Sequence, residues 1–239
     1  MYPSKHCKRR EERDNDTESG AELMISFVRK LLLVCLWSAS SFAQTGNLGI
    51  FTNAGDVGGP ANKGSAEFSN GQYQITGSGA NIWAKQDQFQ YVWREMTGNF
   101  TVTATMRFLG QGNEHRKAGI MVRQSLDADA TYADVVIHGN GMPGLQWRSK
   151  QGEDTNTFDF PFDGPGTFKL KLVRTGVRIY MYIAKDGAEP KEIAHTEVSF
   201  QSPVLAGLGV CSHQAEASDT VIFSNVSVEV QAAAPSKAQ

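Results

Sequence analysis

The chain has 239 residues, of which 40 % are hydrophobic and 20 % charged, with a formal net charge of −2. That balance excludes an intrinsically disordered chain, and without a basic field it argues against a nucleic-acid partner. Its 24 glycines against 8 prolines suit many short strands joined by tight turns.

Residues 24 to 43 read MISFVRKLLLVCLWSASSFA, the plan of a secretory signal peptide. Arg29 and Lys30 supply the positive start, Leu31 to Trp37 the apolar stretch, and Ser41-Phe42-Ala43 the small-x-small cleavage site. The apolar run is short for a transmembrane helix, and Val34 is too large for the residue before a lipidated Cys35. Cleavage after Ala43 is the expectation, with an uncleaved anchor as its rival. Residues 1 to 23 hold five Lys or Arg and six Asp or Glu and almost nothing apolar. They read as an extension ahead of a true start at Met24, or else as a disordered cytoplasmic tail ahead of an anchor. The expected location is secreted or periplasmic, with no membrane contact after signal cleavage. From residue 44 onward, 16 Lys or Arg face 19 Asp or Glu, and Cys211 is the one cysteine. No internal disulfide is then possible, and Cys211, in VLAGLGVCSH, is expected as a buried, inert thiol.

The elements that follow are strands. Asn70-Gly71 joins GSAEFS to QYQITG as a hairpin turn. A strand is expected at 82–89. If it ran on unbroken, Trp83, Lys85, Asp87, Phe89, Tyr91 and Trp93 would share one face. From Asn99 to Phe108, Phe100, Val102, Ala104, Met106 and Phe108 alternate with Thr101, Thr103, Thr105 and Arg107, a period of two that only a strand satisfies. Strands are predicted at 116–124, 132–138, 145–150 and 155–160. Phe168, Leu170 and Leu172 lead through Thr175-Gly176 to Val177, Ile179, Met181 and Ile183, a second hairpin. Strands at 192–199, 204–211 and 220–230 complete the series. Gly139 to Gly144, Asp163 to Gly166 and Asp186-Gly187 are turn clusters. About a dozen short strands at 8–12-residue spacing predict an all-β, two-sheet antiparallel sandwich. One domain spans 47–230, followed by a disordered tail at 231–239.

The stretches GSGANIWAKQDQFQYVWREMTGNFTVTATMRF, EHRKAGIMVRQSLDADATYADVVIHGNG, LQWRSKQG, VRIYMYIAKDG and GVCSHQAEASDTVIFSNVSV resemble a bacterial family of concanavalin A-like jelly-roll domains. That family is related to the DUF1349 group and is often appended to TolB-like propeller proteins. The resemblance covers nearly the whole chain after the signal and implies a jelly roll of the concanavalin A-like lectin/glucanase type. By analogy it implies carbohydrate binding. Where the family is expected to carry HGDG, this chain has His138-Gly139-Asn140-Gly141, so position 140 supplies an amide and no carboxylate.

Catalytic motifs are scarce. Jelly-roll glycosidases of the laminarinase type set two carboxylates on one strand face, as in E-x-D-x-x-E, and the mature sequence has no such run. Asp127 and Asp129 sit in SLDADATY, where turn hydrogen bonding is the simpler role and Ca²⁺ ligation the rival. Glu114-His115-Arg116-Lys117 reads as a solvated, charged turn, with contact to an anion as the alternative. Cys211-x-His213 is a poor metal signal, and His195 looks like a surface residue. No metal and no cofactor is expected.

One constellation stands out. In Tyr132 to His138, the residues Ala133, Val135 and Ile137 face the core, which turns Tyr132, Asp134, Val136 and His138 the other way. In Leu145 to Lys150, Leu145 and Trp147 face the core, which turns out Gln146 and Arg148. The GNGMPG connection makes the two strands antiparallel neighbours, and Arg123 joins them from an earlier strand. Tyr132, Asp134, His138, Gln146, Arg148, Arg123 and Trp83 are therefore the candidate ligand-binding set. Asp, Gln and Arg are planar partners for hydroxyl groups, and Tyr132 or Trp83 is a platform for sugar CH faces. The alternative is an ordinary polar sheet face with cross-strand pairs. The leading expectation is an exported binding module for a carbohydrate or similar polyhydroxylated ligand, without catalysis. Its rivals are an extracellular polysaccharide glycosidase or lyase and an envelope protein-interaction module.

Overall fold

Alternating side chains give a strand two unlike faces, and Phe100–Leu109 shows both. Phe100, Val102, Ala104 and Met106 are buried, while Arg107 is exposed. The structure, a computed structural model, describes residues 46–161 and 164–231. The expected signal peptide, the charged segment before it and residues 232–239 of the tail lie outside the described residues.

In chain order the strands are β1 (Asn53–Val57), β2 (Ser65–Ser69), β3 (Gln72–Gly79), β4 (Ile82–Trp83), β5 (Gln86–Asp87), β6 (Phe89–Met96), β7 (Phe100–Leu109) and β8 (Lys117–Arg123). Then come β9 (Tyr132–His138), β10 (Pro143–Arg148), β11 (Asn156–Asp159), β12 (Phe168–Thr175), β13 (Arg178–Lys185), β14 (Lys191–Glu197), β15 (Val204–Cys211) and β16 (Gln214–Val230). One seven-stranded sheet runs β1-β6-β15-β8-β9-β10-β11 and the other β14-β13-β12-β7-β16-β3-β2. Their paired neighbours are all antiparallel. The described residues form an all-β jelly-roll sandwich.

The core lies between the sheets. Val92, Ile120, Val135 and Leu208 come from the first, and Val102, Leu170, Met181 and Phe223 from the second. At one end, Arg116 Nη1 donates to Asp219 Oδ1 at 2.6 Å with both side chains nearly buried. Neither Arg116 nor Lys117 is the solvated turn residue the sequence suggested; Glu114 and His115 are. The Asn70-Gly71 hairpin forms as expected, with both residues at positive φ. Val177 falls in the turn between β12 and β13 and is 45 % exposed, so it does not continue the apolar face of Ile179 and Met181.

The stretch 82–89 is not one strand. Ala84 has φ +50 and turns the chain, pairing Ile82 with Asp87 and Trp83 with Gln86 in a small two-stranded sheet. This hairpin lies against the first sheet on the side away from the main core. Gly79, at φ +122, lets it in: a Cβ there would collide with the backbone carbonyl of Gln88. A second apolar cluster follows, in which Val57, Ile82, Phe89, Tyr91, Trp93, Met121, Tyr132 and Cys211 pack together. Strands β8 and β9 are buried at every position, so this sheet is covered on both faces.

Candidate functional site

The register places the predicted set together. Gln146 pairs with Asp134, Arg148 with Tyr132, Arg123 with Tyr132, and Lys117 with His138. Because alternate residues share a face, Arg123, Tyr132, Asp134, His138, Gln146 and Arg148 do lie on one side of the sheet. They do not form the open polar surface that their types suggested. All six are buried, His138 most loosely at 4 % exposed. The cover is the hairpin at Trp83–Gln86, which no alternation could announce because it depends on the turn at Ala84.

Asp87 on that hairpin explains the two arginines. Arg148 Nη2 and Nη1 donate to Asp87 Oδ1 and Oδ2 at 2.8 and 2.9 Å. Arg148 also donates from Nη2 to Ala84 O at 2.8 Å and from Nη1 to Ala130 O at 2.9 Å. Arg123 approaches Asp87 Oδ2 at 3.4 Å and donates to Ser125 O and Asp127 O, both at 2.6 Å. Asp134 takes no part in this pairing. Tyr132 OH meets Thr155 Oγ1 at 3.1 Å, and its ring lies 5.0 Å from the Arg148 guanidinium carbon. These three residues hold the hairpin and its neighbouring loops. Asp127 likewise serves its turn: its carbonyl accepts from Ala130 N at 3.0 Å, and Oδ2 accepts from Ser125 Oγ at 2.8 Å.

The other end of the face is different. Asp134 is fully buried, and its carboxylate has no side-chain donor, with only the Gln146 backbone N–H offering weak support; Gln146 Oε1 beside it also lacks a partner. Burial raises the Asp134 carboxyl well above the ordinary 3.8, with Lys117 pulling the other way. Lys117 is a site residue that sequence reasoning missed, although Lys117, Gly119, Met121 and Arg123 alternate onto this face. Its Nζ donates to Ile82 O at 2.9 Å and Asn81 Oδ1 at 3.0 Å, and lies 5.0 Å from the centre of the half-buried Trp83 ring. His138 Nδ1 faces Met142 O at 3.0 Å, so Nδ1 carries the proton and Nε2 offers a lone pair. Burial, reinforced by Lys117, brings this imidazole down to about 4. A Cβ on Gly144 would stand 3.2 Å from Asp159 Oδ1 and 3.4 Å from His138 Cε1. The missing side chain lets Asp159 and His138 close over Gly144 with less room than a methyl group needs. Half-buried Trp83 and exposed Asp159 are the more accessible groups at this end, with Lys117, His138, Asp134 and Gln146 buried.

Comparison with known proteins bears on the fold. No family model matches the chain, and no curated protein does. A functionally unknown protein from Saccharomyces cerevisiae superposes with a TM-score of 0.60 at 16 % identity, covering 75 % of this chain and 97 % of that one. The carbohydrate-binding module CBM66 from Bacillus subtilis gives 0.51 at 18 % identity, covering 76 % and 98 %. A mutant of the GH43 protein BlXynB from Bacillus licheniformis gives 0.52 at 12 % identity over 68 % of this chain, which spans only 34 % of that protein. This chain shares their sandwich.

Proposed function

We propose that the protein is an exported, non-catalytic module that binds a carbohydrate or similar polyhydroxylated ligand at the Trp83 end of the covered face. The observation that supports it is the half-buried Trp83 indole with the Lys117 ammonium 5.0 Å from its ring centre. A sugar suits such a rim, since its CH face packs on an aromatic ring and its hydroxyls accept from an ammonium. In this reading half-buried Trp83 meets the ligand at the rim, with Lys117 and His138 beside it, while Asp134 and Gln146 lie beneath and Arg123, Tyr132 and Arg148 hold the wall. The likeness to a carbohydrate-binding module agrees with it. The family resemblance to DUF1349-related domains and the signal-like residues 24–43 make it a proposal for an exported protein. A glycan array with the purified protein, followed by calorimetry, tests it. Trp83→Ala should weaken any hit by about 1.5–3 kcal/mol, the usual range for burying a large apolar side chain. Absence of glycan binding, or binding that Trp83→Ala leaves unchanged, refutes it.

The rival reading is a polysaccharide glycosidase or lyase. The acids near the site do not make a paired-carboxylate strand: Asp134 is on β9 opposite Gln146, and Asp159 is on β11 opposite Gly144. Turnover that disappears in Asp134→Asn would establish the rival.

A further inference from the structure

The chain has five histidines, and four of them are described. Three of those four meet at one rim. His115 precedes β8, His138 ends β9, and His213 follows β15, so they arrive from separate segments of the same sheet. The His115 ring centre lies 5.4 Å from that of His213 and 6.5 Å from that of His138. Two imidazoles sharing a metal at Zn–N distances of about 2.0–2.1 Å place their ring centres roughly 5–6 Å apart.

Each ring has a feature that suits ligation. His138 spends its Nδ1 proton on a backbone carbonyl, which leaves Nε2 free; a metal-bound histidine is oriented in the same way. His213 holds a left-handed backbone at φ +56, and its buried Nδ1 has no partner. His115 is half exposed and is tethered at its backbone nitrogen by Asn113 Oδ1 at 2.8 Å, so its ring is free to turn. Glu114 Oε1 stands 3.4 Å from His115 Nε2 and adds negative charge. Lys117 opposes a cation, but its ammonium is committed to Asn81 and Ile82 on the hairpin side. Among the described residues no three such groups already converge on one point. His115 already neighbours both other rings, so assembly requires His138 and His213, on either side of β8, to turn toward it and toward each other.

We propose that His115, His138 and His213 form a binding site for a borderline transition-metal ion, Zn²⁺ or Cu²⁺. Imidazole nitrogens dominate the donor set, and this selects against Ca²⁺ and Mg²⁺, which take oxygen ligands. The site goes beyond the sugar reading and does not depend on it, because glycan binding and metal binding can each be present alone.

The test is calorimetric titration of the full chain, purified without a polyhistidine tag, with Zn²⁺ and with Cu²⁺. One equivalent should bind with a Kd of about 1 µM or tighter. His115→Ala and His213→Ala are rim substitutions, and each should weaken binding by about 10-fold or more, while His195→Ala should leave it unchanged. In the Cu²⁺ complex, electron paramagnetic resonance should show several coordinated nitrogens, with one lost in each rim variant. A Kd weaker than about 100 µM for both ions overturns the proposal. So does affinity that either rim variant leaves unmoved, or that His195→Ala lowers equally.

Discussion

Arg148 grips Asp87 with both terminal guanidinium nitrogens, across 61 residues of sequence, and neither side chain reaches solvent. Removing one member of a buried ion pair strands the other's charge, which costs about 3–5 kcal/mol. Arg148→Ala and Asp87→Ala should each lower stability by that amount in urea unfolding. The double variant should fall well short of the sum, because the second substitution removes a charge already stranded. Losses under about 1 kcal/mol would mean that the pair behaves as a surface contact.

Asp134 carries a different expectation. Its carboxyl is raised above 3.8 by burial, so the folded state holds its proton more tightly than the unfolded chain does. Stability from this group is complete below about 3.8 and declines as pH climbs through the raised folded value. Asp134→Asn keeps the shape and removes the titration. At pH 7 the variant should be more stable than the parent by up to a few kcal/mol, and near pH 3 the two should converge. A variant that is less stable at pH 7 would show that the carboxylate is ionised and well supported, by Lys117 above all.

Cys211 should be silent. Burial pushes its thiol up to about 11, and Sγ sits 3.4 Å from Gly79 O. A thiol-reactive dye should label one cysteine of this region in denaturant and none in the native protein over hours. Rapid native labelling would reveal opening of the hairpin above it.

Gly79→Ala should loosen that hairpin. The added methyl meets the Gln88 carbonyl, and φ +122 is unfavourable for alanine. A loss of more than about 1 kcal/mol is expected. Amide exchange should accelerate at Asp87, whose N–H donates to Ala128 O at 2.9 Å. Unchanged exchange would show that the hairpin is held independently of this close approach.

Much of the sandwich was legible because alternation is a local property. Phe100 to Met106, the Asn70-Gly71 turn and the pairing of β9 with β10 each follow from a few neighbouring residues. The shared face of Asp134, His138, Gln146 and Arg148 was legible for the same reason. Its burial was not. That depends on a non-glycine residue, Ala84, adopting positive φ, and on Asp87 arriving from far along the chain. The rim of histidines was equally hidden, since His115, His138 and His213 are distant in sequence and meet only through the strand order β15-β8-β9.

The hairpin is moored largely by atoms that every amino acid possesses. Arg148 and Lys117 hold the main-chain oxygens of Ala84 and Ile82, while the side chains of Ala84, Lys85 and Gln86 point into solvent. Lys85 and Gln86 can therefore be rewritten without untying the knot beneath them, whereas position 84 must tolerate positive φ. An engineer wanting a new recognition loop on this scaffold should randomise residues 85 and 86, keep position 84 to residues that accept positive φ, and leave Asp87 alone.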